Sequence, residues 1–268
     1  MGQSLAIRQK LMICFSFLAL SFFLIPPPAA FGDSLPIKVL GYHFPPYLDQ
    51  KNNQGITHDF LEFLNENQEN FQFKLEFTTS KRRYRALEQR RGDMFFFEMP
   101  EWGWEGSGVA YQSTRPILRG GEYYIALAKP DRDQSYFLPL RERKIAAILG
   151  FHYGFANFNA DQKWLKAHFN IILSNSQKKN LDLLRKHRVE VAVMPISFLA
   201  HELRQQPELH DLFLVSEQPD QFYHLGTIIH PDAPIATAEM EAMLQQLKKS
   251  GQLQRFFERY NLGNQLIY

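Results

Sequence analysis

Cysteine is almost missing from this sequence: the 268 residues contain one, Cys14, near the N-terminus. Without a second cysteine the chain cannot form an internal disulfide or a thiolate metal site, and beyond residue 32 it has no cysteine nucleophile. Histidine pairs of the HxxxH kind and a GxSxG motif are also missing. The sequence therefore predicts no metal, no cofactor and no catalytic residue.

An excess of charge is missing as well. The chain has 30 basic and 28 acidic residues, and Arg8 and Lys10 account for the difference. The basic runs SKRRYR (80–85) and RKHR (185–188) fall on predicted helices, where such runs are typical of a solvated face. Nucleic acid is therefore not an expected partner.

The N-terminal segment carries an uncharged apolar run of 15 residues, 11–25, which is short of the roughly 20 that span a bilayer. Ala30-Phe31-Gly32 follows it with small residues at the −3 and −1 positions. We interpret residues 1–32 as a cleavable signal peptide and expect a periplasmic protein. A retained membrane anchor is the alternative.

The remaining chain shows one plan twice, strand, helix, strand, helix, strand. In the first half the predicted strands are 36–42, 71–79 and 93–99, with helices at 57–67 and 80–91. In the second half the strands are 144–150, 170–174 and 189–195, with helices at 159–169 and 176–188. This alternation predicts an α/β protein with parallel sheets in two lobes.

Two further predicted strands, 122–130 and 223–231, connect the halves, and two helices follow over 236–261. If the last elements pack on the first half, the chain crosses twice and makes a two-strand hinge. The expected lobes are then residues 33–128 with 223–268, and residues 129–222.

Aromatic residues crowd the loops that follow the predicted strands. Ligands of parallel α/β sheets bind beyond the carboxyl ends of the strands, so these loops should meet in one cleft. Rings on stiff turns bury a planar or apolar ligand face at low entropic cost. The expected ligand-binding residues are Tyr42, Phe44, Tyr47, Glu98, Trp102, Trp104, Gly150, Phe151, His152, Tyr153 and Met194.

Taken in order, six segments carry a resemblance: FPPYLDQKNNQGITHDFLEFL, LEQRRGDMFFFEMP, YQSTRPILRGGEYYIALAKP, AAILGFHYGF, LLRKHRVEVAVM and LQQLKKSGQLQRFFERYNL. The chain resembles the bacterial extracellular solute-binding proteins of family 3, the polar amino-acid-binding type. The resemblance implies a type II periplasmic binding protein fold, closure of two lobes on a small solute, and an ABC permease as partner. We also expect a monomer, and a membrane sensor is the alternative partner.

The chain departs from that family where amino-acid binders hold their ligand. Those proteins usually place small hydroxyl residues and an arginine after the third strand, whereas this chain reads FFFEMPEWGWEG. A Gly-Ser/Thr pair is replaced by Gly150-Phe151, and an aspartate by Met194-Pro195. A carboxylate without its arginine is costly to bury, so an ordinary α-amino acid is not the expected ligand.

Two other functions stay open. One is an enzyme of the dehydratase kind on the same scaffold, with Glu98, His43 and His152 as acid–base candidates. The other is a sensor or docking module that has lost its ligand, in which the rings of the cleft belong to the core. We expect a binding protein rather than an enzyme.

Overall fold

The computed structural model describes residues 34–268. The predicted signal peptide, residues 1–32, lies outside the described residues, and so does Cys14. Among the helices of residues 34–268, none is both long and apolar enough to cross a bilayer.

The first half folds as the apolar pattern predicts. It contains β1 (Leu35–Gly41), α1 (Ile56–Glu66), β2 (Phe71–Phe77), α2 (Arg83–Glu88) and β3 (Met94–Glu98). All five residues of β3 are buried, as the continuous apolar run MFFFE indicates for a central strand. β1 pairs in parallel with β2 and with β3, so the helices cover the faces of a parallel sheet.

Next along the chain come β4 (Gln112–Ser113) and β5 (Leu118–Leu127), which lead into the second half. That half contains β6 (Ile145–Ile148), α3 (Gln162–His168), β7 (Ile171–Ser174), α4 (Gln177–Arg185), β8 (Val191–Pro195) and α5 (Ile196–Gln205). β6 pairs in parallel with β7 and β8. The Ser176 hydroxyl caps α4 by accepting a hydrogen bond from the Lys179 amide, as expected for serine before a helix.

The chain then returns through β9 (Phe213–Ile229) and ends in α6 (Thr237–Lys249) and α7 (Gln252–Glu258). β9 runs antiparallel to β5 and to β3, and β5 pairs with β8 on its other side. The strand order β2-β1-β3-β9-β5-β8-β6-β7 therefore places the two crossing strands between the halves. The predicted α/β fold class is confirmed.

Sequence reading missed two features of this topology. α5 occupies a segment expected to be a loop, and β9 begins ten residues before the expected 223. Its early part contains the polar stretch SEQPDQ with Pro219, which conceals the strand pattern. Pairing with β5 forms it nevertheless, with register shifts near Tyr123.

The hydrophobic core follows the two halves. One cluster joins β1, β2, β3 and α1 with α6 and α7, and it includes Leu118 and Tyr223 from the crossing strands. Two further clusters fill the second half, and they include Ile125 and Ala126 of β5. The core therefore changes sides within β5 itself, a few residues before the expected lobe limit at 128.

A cluster of phenylalanine rings centres on Phe60, which is fully buried. Its ring centroid lies 5.1 Å from that of Phe96, 5.2 Å from Phe256 and 5.7 Å from Phe257. Phe60 thus ties α1 to β3 and to the returning helix α7.

Replacing Phe60 with alanine should lower the free energy of unfolding by about 3–5 kcal/mol, because it opens a cavity in this ring cluster. Urea denaturation monitored by circular dichroism measures the loss. Phe222→Ala is the matched control: Phe222 is 64% exposed and should change stability by less than about 0.5 kcal/mol. Equal effects of the two variants would contradict the placement of Phe60.

Candidate functional site

A small cavity lies where the two halves and the crossing strands meet. It is lined by Tyr42, Phe44, Arg83, Trp102, Glu122, Phe151, His152 and Tyr223. Loops after β1, β3 and β6 supply most of the rings, and β5 and β9 supply Glu122 and Tyr223. The cavity measures about 10 Å³, which is room for a single water-sized group. The structure therefore describes a closed site.

Five of the eleven predicted ligand-binding residues line this cavity, namely Tyr42, Phe44, Trp102, Phe151 and His152. The structure does not bring the other six, Tyr47, Glu98, Trp104, Gly150, Tyr153 and Met194, into its lining.

Packing accounts for the side chains that lie outside the lining. Tyr47 stacks behind Phe44 at 4.9 Å, and Met194 is buried in the core of the second half. Trp104 donates its indole N–H to Glu98, and the Tyr153 hydroxyl accepts from the Ile148 amide at 2.6 Å. These rings and this thioether pack against the loops and the core outside the cavity lining.

Gly150 lies where the two halves come into close contact. Its φ of +81° lies in the left-handed region, and an added Cβ would come within 2.9 Å of Lys81 and Ser80 in the first half. Only glycine fits this conformation and this contact without strain.

Phe44 lies at the centre of the cavity rings. The centroid of its ring lies 5.7 Å from that of Trp102, 5.6 Å from that of Phe151 and 6.2 Å from that of Tyr223. The corresponding angles between the ring planes are 84°, 80° and 68°. Such near-perpendicular pairs are favourable geometries for aromatic contacts. Rings from both halves and from β9 thus close around one point.

Arg83 corrects the interpretation of the basic run 80–85 as a solvated face. Only 1% of its surface is exposed, although its neighbours Arg82 and Arg85 are exposed. The signal was present in the sequence: helical spacing places position 83 on the same face as Ala86 and Leu87, which are both buried.

The terminal nitrogens of Arg83 donate to several protein groups, whereas its Nε has no hydrogen-bond partner among residues 34–268. The guanidinium donates to the carbonyl oxygens of Ser80 at 2.8 Å, Trp102 at 2.8 Å and Gly150 at 3.3 Å. It also donates to the Tyr84 hydroxyl at 2.9 Å and to Nδ1 of His152 at 3.1 Å. Two of these acceptors belong to the second half, so Arg83 joins the halves across the cavity.

Glu98 is the ion-pair partner of Arg83. Its Oε1 lies 3.5 Å from Nε of Arg83 and accepts from the Tyr42 hydroxyl at 2.6 Å, while Oε2 accepts from Trp104 at 2.9 Å. A register shift between β3 and β9 directly precedes Glu98, and such bulges re-aim side chains. Burial and the nearby Glu98 charge raise the pKa of the Tyr42 phenol well above its usual value.

Glu122 is a functional candidate that sequence reading missed. It is 1% exposed, and its cross-strand partner Gln221 donates to Oε2 at 2.9 Å. Its other oxygen, Oε1, has no hydrogen-bond partner among residues 34–268. Burial, followed by the charge of Asp220, raises the pKa of this carboxyl group well above its usual range, and the side chains of Gln221 and Tyr223 oppose that rise. A buried acceptor without a partner is costly, and in this site it borders the cavity.

Gln221 connects Glu122 to the rings of the cavity. Its amide nitrogen also donates to the His152 carbonyl at 2.5 Å, and its oxygen accepts from the Trp102 indole at 2.9 Å. Neither Glu122 nor Gln221 belongs to a recognisable motif. Their positions follow from the pairing of β5 with β9, which the sequence does not specify.

His152 is held in its neutral form. Burial, followed by the Arg83 charge, lowers its pKa to about 3. Because Arg83 donates to Nδ1, this nitrogen is the acceptor and the tautomer carries its proton on Nε2.

His43 lies apart from the cavity, 3.6 Å from Asp49, in a second and larger groove of about 690 Å³. The acid–base candidates His43, Glu98 and His152 are therefore not brought together in one pocket. On α1, His58, Asp59 and Glu62 place ligand-capable atoms within 4.8 Å of one another, but the group is partly exposed and such groups are common without a metal.

No protein-family model and no curated protein matches this sequence. Solved structures do match it in fold. The GluR0 ligand-binding core from Nostoc punctiforme in complex with L-glutamate has 14% identity and a TM-score of 0.65, with 84% of this chain and 99% of that chain covered. Tv2483 bound to L-arginine has 15% identity and a TM-score of 0.66, covering 84% and 90%.

A third match is the ancestral amino-acid-binding protein AncCDT-1, a precursor of cyclohexadienyl dehydratase, with 16% identity and a TM-score of 0.62. It covers 85% of this chain and 95% of that one. At these identities the likeness shows the fold, and this chain has the fold of type II periplasmic binding proteins.

Replacing Arg83 with methionine should lower the free energy of unfolding by about 3–5 kcal/mol, because Glu98 is left as a buried charge without its partner. Adding Glu98→Gln should recover part of that loss. Urea unfolding of both variants measures the coupling, and Arg82→Met, which changes an exposed neighbour, is the control. Additive losses in the double variant would contradict the pairing.

The lowered pKa of His152 should make stability depend on pH. The folded pKa of about 3 lies below the ordinary 6.5, so protons bind the unfolded chain preferentially between these values. The contribution of neutral His152 to the free energy of unfolding is therefore complete above pH 6.5. It is lost as the pH falls below that value, by up to about 1.4 kcal/mol per pH unit.

His152→Asn removes this proton linkage. Urea unfolding at pH 7 and pH 5 should show that wild type loses more stability than His152→Asn between the two values. The exposed His187 offers the control His187→Asn, which should follow wild type. Parallel pH profiles for all three proteins would contradict a neutral His152.

Proposed function

We propose that this chain is a periplasmic solute-binding protein that closes two lobes on a small polar or aromatic solute. The lobes are residues 33–128 with 223–268, and residues 129–222. The observation that carries the proposal is the cavity itself, because its lining comes from both halves and from both crossing strands. Only relative motion of the halves could admit a solute to so enclosed a point.

The fold supports this proposal. The matching structures include proteins in complex with L-glutamate, L-arginine or lysine. One is described as a binding component of an ABC transporter. An ABC permease or a membrane sensor would then take up the closed form of this chain.

The chemistry of the cavity argues against an ordinary α-amino acid as ligand. Arg83 is the one guanidinium in the lining; its charge is paired with Glu98, and its terminal nitrogens donate to protein acceptors. No serine or threonine belongs to the lining. An α-carboxylate entering this cavity would lose its water without gaining a cation, which costs several kcal/mol.

One observation favours a second candidate, a docking module without a ligand. The closed cavity holds about 10 Å³, so its rings also pack as a core would. In that case the two halves would form a fixed surface for a partner protein. The two functions differ in whether any small molecule stabilises the chain.

Thermal unfolding of the purified protein against amino acids, carboxylates, polyamines, sugars and aromatic metabolites tests the proposal. A ligand at 100 times its dissociation constant should add about 2.7 kcal/mol. Trp102→Ala should abolish the shift, whereas Trp164→Ala, which changes a ring outside the cavity, should keep it. No shift with any compound would favour the docking module.

A further inference from the structure

We propose that the cavity takes a small amine or ammonium cation that carries no carboxylate. This inference deepens the proposed function and depends on it, since it names the ligand class of the same site. It rests on three features of the lining: five aromatic rings, one carboxylate oxygen without a partner, and no free cationic group.

The rings provide the first feature. Tyr42, Phe44, Trp102, Phe151 and Tyr223 surround the cavity, and most of their mutual contacts are close to perpendicular. Aromatic faces carry partial negative charge and attract a cation, and the Arg83 guanidinium already lies 5.5 Å from the centroid of the Tyr42 ring. The attraction is greatest where water is excluded, as it is at this enclosed point.

Glu122 provides the second feature. Its Oε2 is satisfied by Gln221, while Oε1 is left without a partner at the cavity. An N–H donor on a cation would complete this oxygen with a charge-assisted hydrogen bond. The same cation would compensate the cost of ionising a carboxyl group in so buried a place.

The third feature is the state of the basic groups. The charge of Arg83 is paired with Glu98, and the terminal nitrogens of its guanidinium donate to protein acceptors. Its Nε lies 3.5 Å from Oε1 of Glu98 and has no hydrogen-bond partner among residues 34–268, and His152 is neutral. Asp220, whose charge acts on Glu122, accepts from the amides of Gly154 and Phe155. A cation therefore meets an acceptor without a partner in Glu122, whereas an anion meets a guanidinium whose charge Glu98 already neutralises.

The size of the cavity sets an order among cations. About 10 Å³ accommodates an ammonium-sized group while the rings stay in place. Methylated or longer amines require the rings and the two halves to move apart. A rigid site should therefore bind ammonium more tightly than the larger amines, whereas a site whose halves move apart should also bind the larger ones.

Isothermal titration calorimetry at constant ionic strength tests the inference with ammonium, methylammonium, trimethylammonium and N,N-dimethylethanolammonium, which all carry an N–H donor. Potassium, which matches ammonium in size but has no N–H, and 3-methyl-1-butanol, the neutral counterpart of N,N-dimethylethanolammonium, are the matched probes. At least one amine should bind at least tenfold more tightly than its matched probe. Equal affinity within both pairs would overturn the inference.

Glu122→Gln separates the carboxylate from the rings. Because burial already favours the uncharged form of Glu122, the amide should preserve the unliganded fold, which circular dichroism checks. The variant should bind the amine at least tenfold more weakly, whereas Glu101→Gln, an exposed neighbour of Trp102, should bind as wild type. An unchanged affinity in Glu122→Gln would overturn the role of the carboxylate.

Proton release provides an independent readout. A bound cation requires ionised Glu122, so affinity should rise with pH, by up to tenfold per unit, until the pKa of free Glu122 is passed. The titratable or charged groups facing this site are Asp220, Tyr42, Tyr124, Tyr153, Tyr223, Arg83 and His152. Glu122→Gln should abolish the pH dependence, and a dependence that persists would assign the proton to another group.

The outcomes distinguish failure of the inference from failure of the proposed function. If a neutral or anionic compound stabilises the protein in a way that depends on Trp102, and no amine binds, the inferred ligand class is wrong and the proposed binding function stands. If no amine and no library compound binds or stabilises the protein, both the inference and the proposed function are wrong.

Discussion

The buried guanidinium of Arg83 is the interaction on which the closed structure depends. One side chain on α2 contacts the carbonyl of Trp102 in its own half and the Gly150 carbonyl and His152 ring of the other. A buried cation requires compensation, and Glu98 provides it at 3.5 Å. The position of the loops around the cavity follows from satisfying this one charge.

The same charge decides what is left for a ligand. Arg83 borders the cavity, but its charge is already paired with Glu98. The acceptor at the cavity without a hydrogen-bond partner among residues 34–268 is the Oε1 atom of Glu122. A protein of amino-acid-binder fold thus has a site whose electrostatics favour a cation.

Much of the fold could be predicted from the sequence, because local patterns specify it. The apolar run of β3, the cap at Ser176 and the repeated strand and helix order are all local signals. The rings of the β1 and β6 loops could also be assigned to a cleft, since ligands of parallel sheets bind at strand ends. Tyr42, Phe44 and Phe151 meet at the cavity accordingly.

The rest depends on contacts between distant residues. Arg83 is one basic residue in a basic run, and only packing against the other half distinguishes it from Arg82. Glu122 and Gln221 become neighbours through the long antiparallel pairing of β5 with β9, and 99 residues separate them in the chain. α5 is a different case, because its amphipathic pattern, with Phe198 and Leu199 buried, is a local signal that the expectation of a loop after β8 overlooked.

The most direct test of this account measures the distance between the halves. Spin labels on cysteines at the exposed positions Glu88 and Lys186, in a Cys14→Ser background, report that distance by pulsed electron paramagnetic resonance. The account predicts one narrow distance distribution for the protein with Arg83, and a broader and longer one after Arg83→Met. Identical narrow distributions in both proteins would contradict the role of Arg83 in holding the halves together.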